Sequence, residues 1–320
     1  MMSTLSVEKL HRESILCDLH CDTLLRIGKN EDLKTARGHI NLPKLKEGGV
    51  KCQVFACWVD PKCKNYLKST LHLIDTFYNQ LDKFNGEIQP AKKSGDIENI
   101  AKDGKIAAVL GIEGGHTVEG DLAILRTFHK LGIRLLTITW NNSNKIATSC
   151  WSKPDRGLLP FGKKVIREMN RLGIVIDVSH ASKKTVLDIA KISAHPIVAS
   201  HSCAYTLREH PRNLSDEEII AIANTDGVIG INFSSKFLSN KKATVEAIVD
   251  HIDYIKKLVG TKHIALGSDF DGIKDPVSGV EDASKFPEIT KRLVARGYNE
   301  EEIKSILGGN FIRVFNKVCK

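Results

Sequence analysis

Short runs of apolar, β-branched residues alternate along the chain with longer stretches whose apolar positions recur at helical spacing. The short runs cover residues 15–19, 52–58, 106–112, 134–138, 174–178, 196–200, 228–231 and 263–266. They are rich in Val and Ile and too short for helices, so each predicts a buried strand. Helical spacing covers residues 67–84, 121–131, 161–172, 182–190, 215–223 and 244–259. Ser182 and Ser215 stand at two of the starts, and Ser215-Asp216-Glu217-Glu218 has the Ser-x-x-Glu form of a capping box. Strand–helix alternation predicts an α/β fold with a parallel sheet. About eight such units in one chain favour closure into a (β/α)8 TIM barrel. An open doubly wound sheet is the competing architecture, but the first strand is not followed by the glycine-rich turn that a dinucleotide site needs. The tail predicts two extra C-terminal helices, 300–307 and 310–318, separated by Gly308-Gly309. With no linker, repeat or low-complexity segment, residues 1–320 are expected to form a single domain.

In such a barrel the chemistry sits at the C-terminal ends of the strands. His20 and Asp22 close the first predicted strand, Glu113 the third, His180 the fifth, His201 the sixth and Asp269 the eighth. Each has an ordinary local explanation. Glu113 could start a helix after Gly114-Gly115, Asp269 and Asp271 could cap a turn at Gly272, and a single His at a strand end is commonly structural. Their joint placement at one rim points instead to a site. Imidazoles and carboxylates suit zinc or another divalent transition metal rather than calcium. The set exceeds the ligands of one tetrahedral ion, so two ions sharing a carboxylate fit better. In ILCDLHCD, strand alternation sends His20 and Asp22 to one side and Cys21 to the other. Cys21 is therefore expected to be a packing residue, with Asp18 on the ligands' side but deeper in the strand. His116, just after GIEGG, is expected to be structural. His11, His72 and His129 lie in helical stretches, and His39, His195, His210, His251 and His263 have no comparable placement.

Composition changes this picture little. The 320 residues are 42% hydrophobic and 27% charged, as expected of a globular chain with a substantial core. The net charge of +9 is scattered among acidic residues rather than gathered in a stripe, which argues against nucleic-acid binding. No apolar run is long enough to span a bilayer, and the polar start MMSTLSVEKLHRES lacks the apolar core of a signal peptide. A cytoplasmic protein without membrane attachment is the expectation. The eight cysteines form no C-x-x-C pair and are expected to be reduced and mostly buried.

Taken in order, LHCD, GIEGGH, DVSHAS, ASHSCAY, HPRNLSDE, GVIGINF, DHIDYI, GSDFDG and GGNFIRVF make the chain resemble the membrane (renal) dipeptidase family of zinc peptidases, of the M19 type, nearly end to end. The resemblance implies a metal-dependent hydrolase barrel holding two zinc ions. By motif, His20 and Asp22 would bind one ion, His180 and His201 the other, and Glu113 would bridge them. Asp269 would be the catalytic proton shuttle, and Arg212 would bind the free carboxylate of a dipeptide, including one with a C-terminal D-residue. The family often forms homodimers. Two departures stand out. No secretion signal or lipid-anchor tail is visible, and Trp140, in LLTITWNNSN, replaces a substrate-contacting histidine. Asn141 and Asn142 are candidates to replace its polar contacts. An N-acyl amino acid amidohydrolase and a catalytically silent metal-dependent binding protein are the alternative functions.

Overall fold

The computed structural model describes residues 4–28 and 31–320; residues 1–3, where the polar N-terminal stretch begins, and residues 29–30 lie outside the described residues. One sheet contains nine parallel strands: β1 Leu16–Cys21, β2 Val50–Trp58, β3 Ile88–Pro90, β4 Ile106–Glu113, β5 Ile133–Thr137, β6 Val175–Asp177, β7 Ile197–Ser202, β8 Val228–Ile231 and β9 Ile264–Leu266. Neighbours run β2-β1-β9-β8-β7-β6-β5-β4, and β2 also pairs with β4 over Cys52–Trp58, which closes an eight-stranded barrel. The ninth strand, β3, was not expected. It pairs with Ile106–Ala108 of β4, whose other half, Leu110–Glu113, pairs with β5, so β3 fills an edge that β5 leaves open.

Alternate strand residues feed two cores. Cys17, Leu19, Cys52, Val54, Ala107, Val109, Leu135, Val175, Val198, Val228 and Ala265 cluster inside the barrel, where Phe311, Phe315 and Val318 of the last helix close its lower end. The other parity packs outward on the helices. Truncating Phe311 or Phe315, both fully buried, therefore removes the barrel floor at a cost of about 3–5 kcal/mol.

The expected break at Gly308-Gly309 is not a break. Glu300–Lys304 runs through a π turn, Ser305–Gly309, into Asn310–Val318, and Gly309 keeps a helical φ of −52°. A Cβ on Gly308 would collide with the Ile15 carbonyl and crowd Cys17 Sγ. The glycine is there so that the helix can press against the foot of β1. Helices Thr4–Glu13, Asp96–Lys102 and Phe286–Ala295 were also not expected. Both serine caps are present: Ser182 receives Thr185 N–H, and Ser215 and Glu218 form the capping box. No helix among the described residues is long and apolar enough to cross a membrane. All eight cysteines are free, and all but Cys63 and Cys150 are buried.

Strand alternation holds for the metal-type residues only because two strands are irregular. Cys17 and Leu19 face the interior, so simple alternation would put Cys21 there too. A register shift between Asp18 and Cys21, where β1 carries one residue more than β2, resets the parity. His20 then faces inward and Cys21 joins the outer core with Phe55 and Phe270. Asp18 is consequently on the face opposite to the one expected. Its carboxylate accepts Ser268 N–H at 2.7 Å, Ser268 Oγ at 2.6 Å and Gln53 Nε2 at 3.0 Å. The same device recurs in β7, between Ala199 and Ser202, just where His201 turns in.

Histidines outside the site predict a pH effect. His251 Nδ1 accepts Ala204 N–H at 3.0 Å, and Nε2–H donates to the Leu238 carbonyl at 3.2 Å. Burial holds this imidazole below its usual 6.5. The unfolded chain thus binds a proton that the folded one refuses, and stability present above pH 6.5 is lost as pH falls below it. His251→Gln keeps a donor and an acceptor. Chemical denaturation should show a shallower acid slope for the variant between pH 6.5 and 5, the difference being at most about 1.4 kcal/mol per pH unit.

Candidate active site

All of the expected ligands converge at the C-terminal mouth of the barrel. His20 and Asp22 arrive from β1, Glu113 ends β4, His180 follows β6, His201 lies in β7 and Asp269 follows β9. The Glu113 Oε1 atom is the centre: His180 Nε2 lies 2.9 Å away, His201 Nε2 3.4 Å and His20 Nε2 3.8 Å. His20 Nε2 is also 3.5 Å from Asp22 Oδ2. Three overlapping ligand groups result: His20 with Asp22 and Glu113, Glu113 with His180 and His201, and His20 with His201 and Asp269. His180 and Asp269 hold left-handed backbones, at φ 65° and 62°. Such conformations cost a non-glycine residue on the order of 1–3 kcal/mol and cluster at functional sites. Gly272 is small for a reason as well, since a Cβ would run into Asp22 Oδ2.

Hydrogen bonding shows what the site is prepared to hold. His180 Nδ1 is 2.8 Å from Asn141 Oδ1, and His201 Nδ1 is 2.7 Å from Ser200 Oγ, whose own O–H goes to Asp177 at 2.6 Å. Both imidazoles therefore carry their proton on Nδ1. Their Nε2 lone pairs face each other at 3.0 Å, an arrangement with no hydrogen between them. Neither His20 nitrogen nor Asp22 Oδ1 has a hydrogen-bond partner, although all are buried. Buried polar atoms without partners call for a ligand.

The electrostatics agree. Burial pushes the Glu113 carboxyl well above its usual range, and Asp22 pushes it further while His20 opposes. Burial would lower His20, but the Glu113, Asp22 and Asp269 carboxylates overcome it and hold the imidazole up at about 10. Burial, with Arg212 and His20, holds His180 and His201 well below the usual range, so both imidazoles are neutral. Clustered carboxylates and neutral imidazoles with aimed lone pairs fit divalent transition metal, and no cysteine belongs to the candidate ligand groups among the described residues. Cys21→Ala should accordingly leave metal content unchanged, at a stability cost of about 1–2 kcal/mol; elemental analysis and a melting curve check both.

These groups open into a cavity of about 450 Å³. Trp140 lines it, its ring 5.1 Å from Trp58 and 6.3 Å from His180. Arg212 is buried at the other side, stacked 5.6 Å over Phe237, with Nη2 donating to the His201 carbonyl at 3.2 Å. Sequence reasoning missed several lining residues: Trp58, Trp151, His210 and Phe237. His210, given no placement from sequence, accepts Arg212 N–H at 3.1 Å and packs its ring 4.6 Å from Phe237; its adjacency to Arg212 in HPRN was the available signal. His116 is structural as expected, bound to the Val59 carbonyl at 2.9 Å. The asparagine expectation is corrected for Asn142, which does not line the cavity; Asn141 does line it, with its Oδ1 engaged by two protein donors.

Comparison with known proteins agrees with this geometry. The family model described as Membrane dipeptidase (Peptidase family M19) matches residues 5–320. An uncharacterized dipeptidase of Schizosaccharomyces pombe is 35% identical over 340 aligned residues, covering 97% of this chain and 82% of its own. The dipeptidase tcpJ of Claviceps purpurea is 35% identical, over 89% of this chain and 70% of its own. A metallopeptidase structure from Rhodobacter sphaeroides, liganded with a phosphinate mimic of the dipeptide L-Ala-D-Ala, superposes with a TM-score of 0.89 at 26% identity, covering 96% of this chain and all of that one. The chain belongs to the membrane dipeptidase family, peptidase family M19, and is a metal-dependent peptide hydrolase.

Proposed function

We propose that the protein is a dinuclear zinc dipeptidase, hydrolysing the peptide bond of dipeptides that include those with a D-residue at the carboxyl-terminal position. The observation that carries the substrate class is Arg212. It is only 4% exposed, it lines the same cavity as Glu113, His180 and Asp269, and among the described residues no carboxylate forms an ion pair with it. A buried guanidinium without an anion is prepared for one from a ligand, and its planar fork suits a carboxylate. The cavity of about 450 Å³ that Arg212 shares with Glu113, His180 and Asp269, lined also by Trp58, Trp140 and Phe237, suits a small substrate with a free α-carboxylate. The likeness to a protein that holds an L-Ala-D-Ala mimic supports the D-residue.

His20, Asp22, Glu113, His180 and His201 would hold the metal. Bound zinc supplies a Lewis acid for the scissile carbonyl and makes water a nucleophile near neutral pH. Asp269 would take a proton from the attacking water and deliver it to the leaving amine. Asn232 Nδ2, 2.9 Å from Asp269 Oδ2, fixes which carboxylate oxygen remains available. Arg212 sets the distance of the peptide bond from these groups.

Metal content measured together with turnover on a panel of L,L- and L,D-dipeptides and N-acyl amino acids tests the proposal. Metal-replete protein that cleaves acyl amino acids and no dipeptide would overturn it. Arg212→Met, which keeps the bulk and removes the charge, should raise KM by about 10–100-fold for dipeptides with a free carboxylate. Equal losses on carboxyl-amidated dipeptides would refute the clamp.

A further inference from the structure

Asn141 lies in the segment after β5, between the metal-type cluster and the cavity rim. Its Oδ1 meets two ring N–H groups, His180 Nδ1 at 2.8 Å and Trp151 Nε1 at 3.1 Å. An indole nitrogen only donates, so the Asn141 atom facing it is the oxygen. The same oxygen then obliges His180 Nδ1 to carry the ring proton. Histidine in water favours the opposite tautomer, with the proton on Nε2, which would block that nitrogen as a ligand. His180 Nε2 is the atom 2.9 Å from Glu113 Oε1 and 3.0 Å from His201 Nε2.

The residue's backbone is itself held. Ser149 Oγ donates to the Asn141 backbone carbonyl at 3.0 Å, and Cys150 N–H donates to the His180 backbone carbonyl at 2.8 Å. Trp151, half exposed at the rim, is thereby tied between Asn141 and the His210 ring, 5.6 Å away. The loop around 141–152 thus grips both the His180 backbone and its side chain.

We infer that Asn141 is a positioning residue that sets the tautomer and aim of the metal ligand His180, with the Trp151 N–H fixing the orientation of the amide. The inference rests on metal use by this site and is independent of which peptide is cleaved. Partners of this kind tune metal affinity through the ligand they orient.

The test is chelator competition on the metal-loaded protein, comparing wild type with Asn141→Leu and Asn141→Asp. Asn141→Leu removes the acceptor at similar volume and should bind the weaker ion about 10–100-fold less tightly. Asn141→Asp keeps an oxygen for both donors and should stay within about threefold of wild type. Asn141→Leu leaves two N–H donors without an acceptor, so its metal-free protein should melt lower than wild type, and the affinities are compared at a temperature where circular dichroism shows all three proteins folded. Wild-type affinity in folded Asn141→Leu, or equal losses in both variants, would each overturn the assignment. A wild-type protein that holds no metal would instead sink the proposed function, so the two failures are distinguishable.

Discussion

Asp269→Asn is expected to keep metal at the wild-type stoichiometry while kcat on dipeptides falls by about 10²–10⁴, the usual worth of a positioned acid–base group. The residue is built for proton transfer. Its backbone is left-handed at φ 62° and tied to the His20 carbonyl at 3.1 Å, which turns the side chain off the strand end and over the cluster. Burial raises the carboxyl to about 6; His20 opposes that and Asp22 adds to it. That value belongs to the metal-free site; cations bound beside Asp269 would lower it. KM should change little, because Arg212 and the aromatic walls remain. The competing role is explicit in the geometry, since an Asp269 oxygen lies within ligand reach of His20 and His201. Loss of metal from Asp269→Asn, read by elemental analysis before any assay, would make Asp269 a ligand and remove it from proton transfer.

The barrel was legible because its strands are buried on both faces and so read as continuous apolar runs, as in Ile106–Glu113. β3 was not legible: a three-residue strand containing Pro90 carries no such run, and its pairing depends on an edge that only the assembled sheet exposes. Gly308 misled for a similar reason, since local propensity reads a glycine pair as a stop while the tertiary approach to Ile15 needs a bare Cα. The metal-type residues were legible because His, Asp and Glu are unusual where strands end. Asp18 shows the limit of period-2 reasoning, because one extra residue in β1 reverses every parity beyond it. Trp58 and Trp151 stayed hidden because one ends β2 and the other lies between β5 and the next helix, and nothing in their local sequence marks them as neighbours, whereas His210 was marked by its place beside Arg212 in HPRN.

Glu113→Gln separates what this site does for function from what it does for stability. On the proposed two-ion site the expected loss of function is large: without a bridging carboxylate, His20 with Asp22 and His180 with His201 would be two incomplete sites. Metal should be lost from both, and kcat/KM should fall by at least about 10³, since the ions supply several kcal/mol of transition-state stabilisation. The metal-free protein should move the other way. Burial and Asp22 push the Glu113 carboxyl well above its ordinary 4.5. Above that pH the unfolded chain releases a proton that the folded chain retains, so the group destabilises the fold, and increasingly so as pH rises. Glutamine does not titrate and removes this penalty. The metal-free variant should therefore match wild type near pH 4.5 and exceed it at pH 7, the gap opening by at most about 1.4 kcal/mol per pH unit. Chemical denaturation at both pH values in the presence of a chelator measures the gap. A variant no more stable than wild type at pH 7 would mean that the buried carboxyl is satisfied by the protein alone, and the case for cations at this centre would lose its electrostatic support.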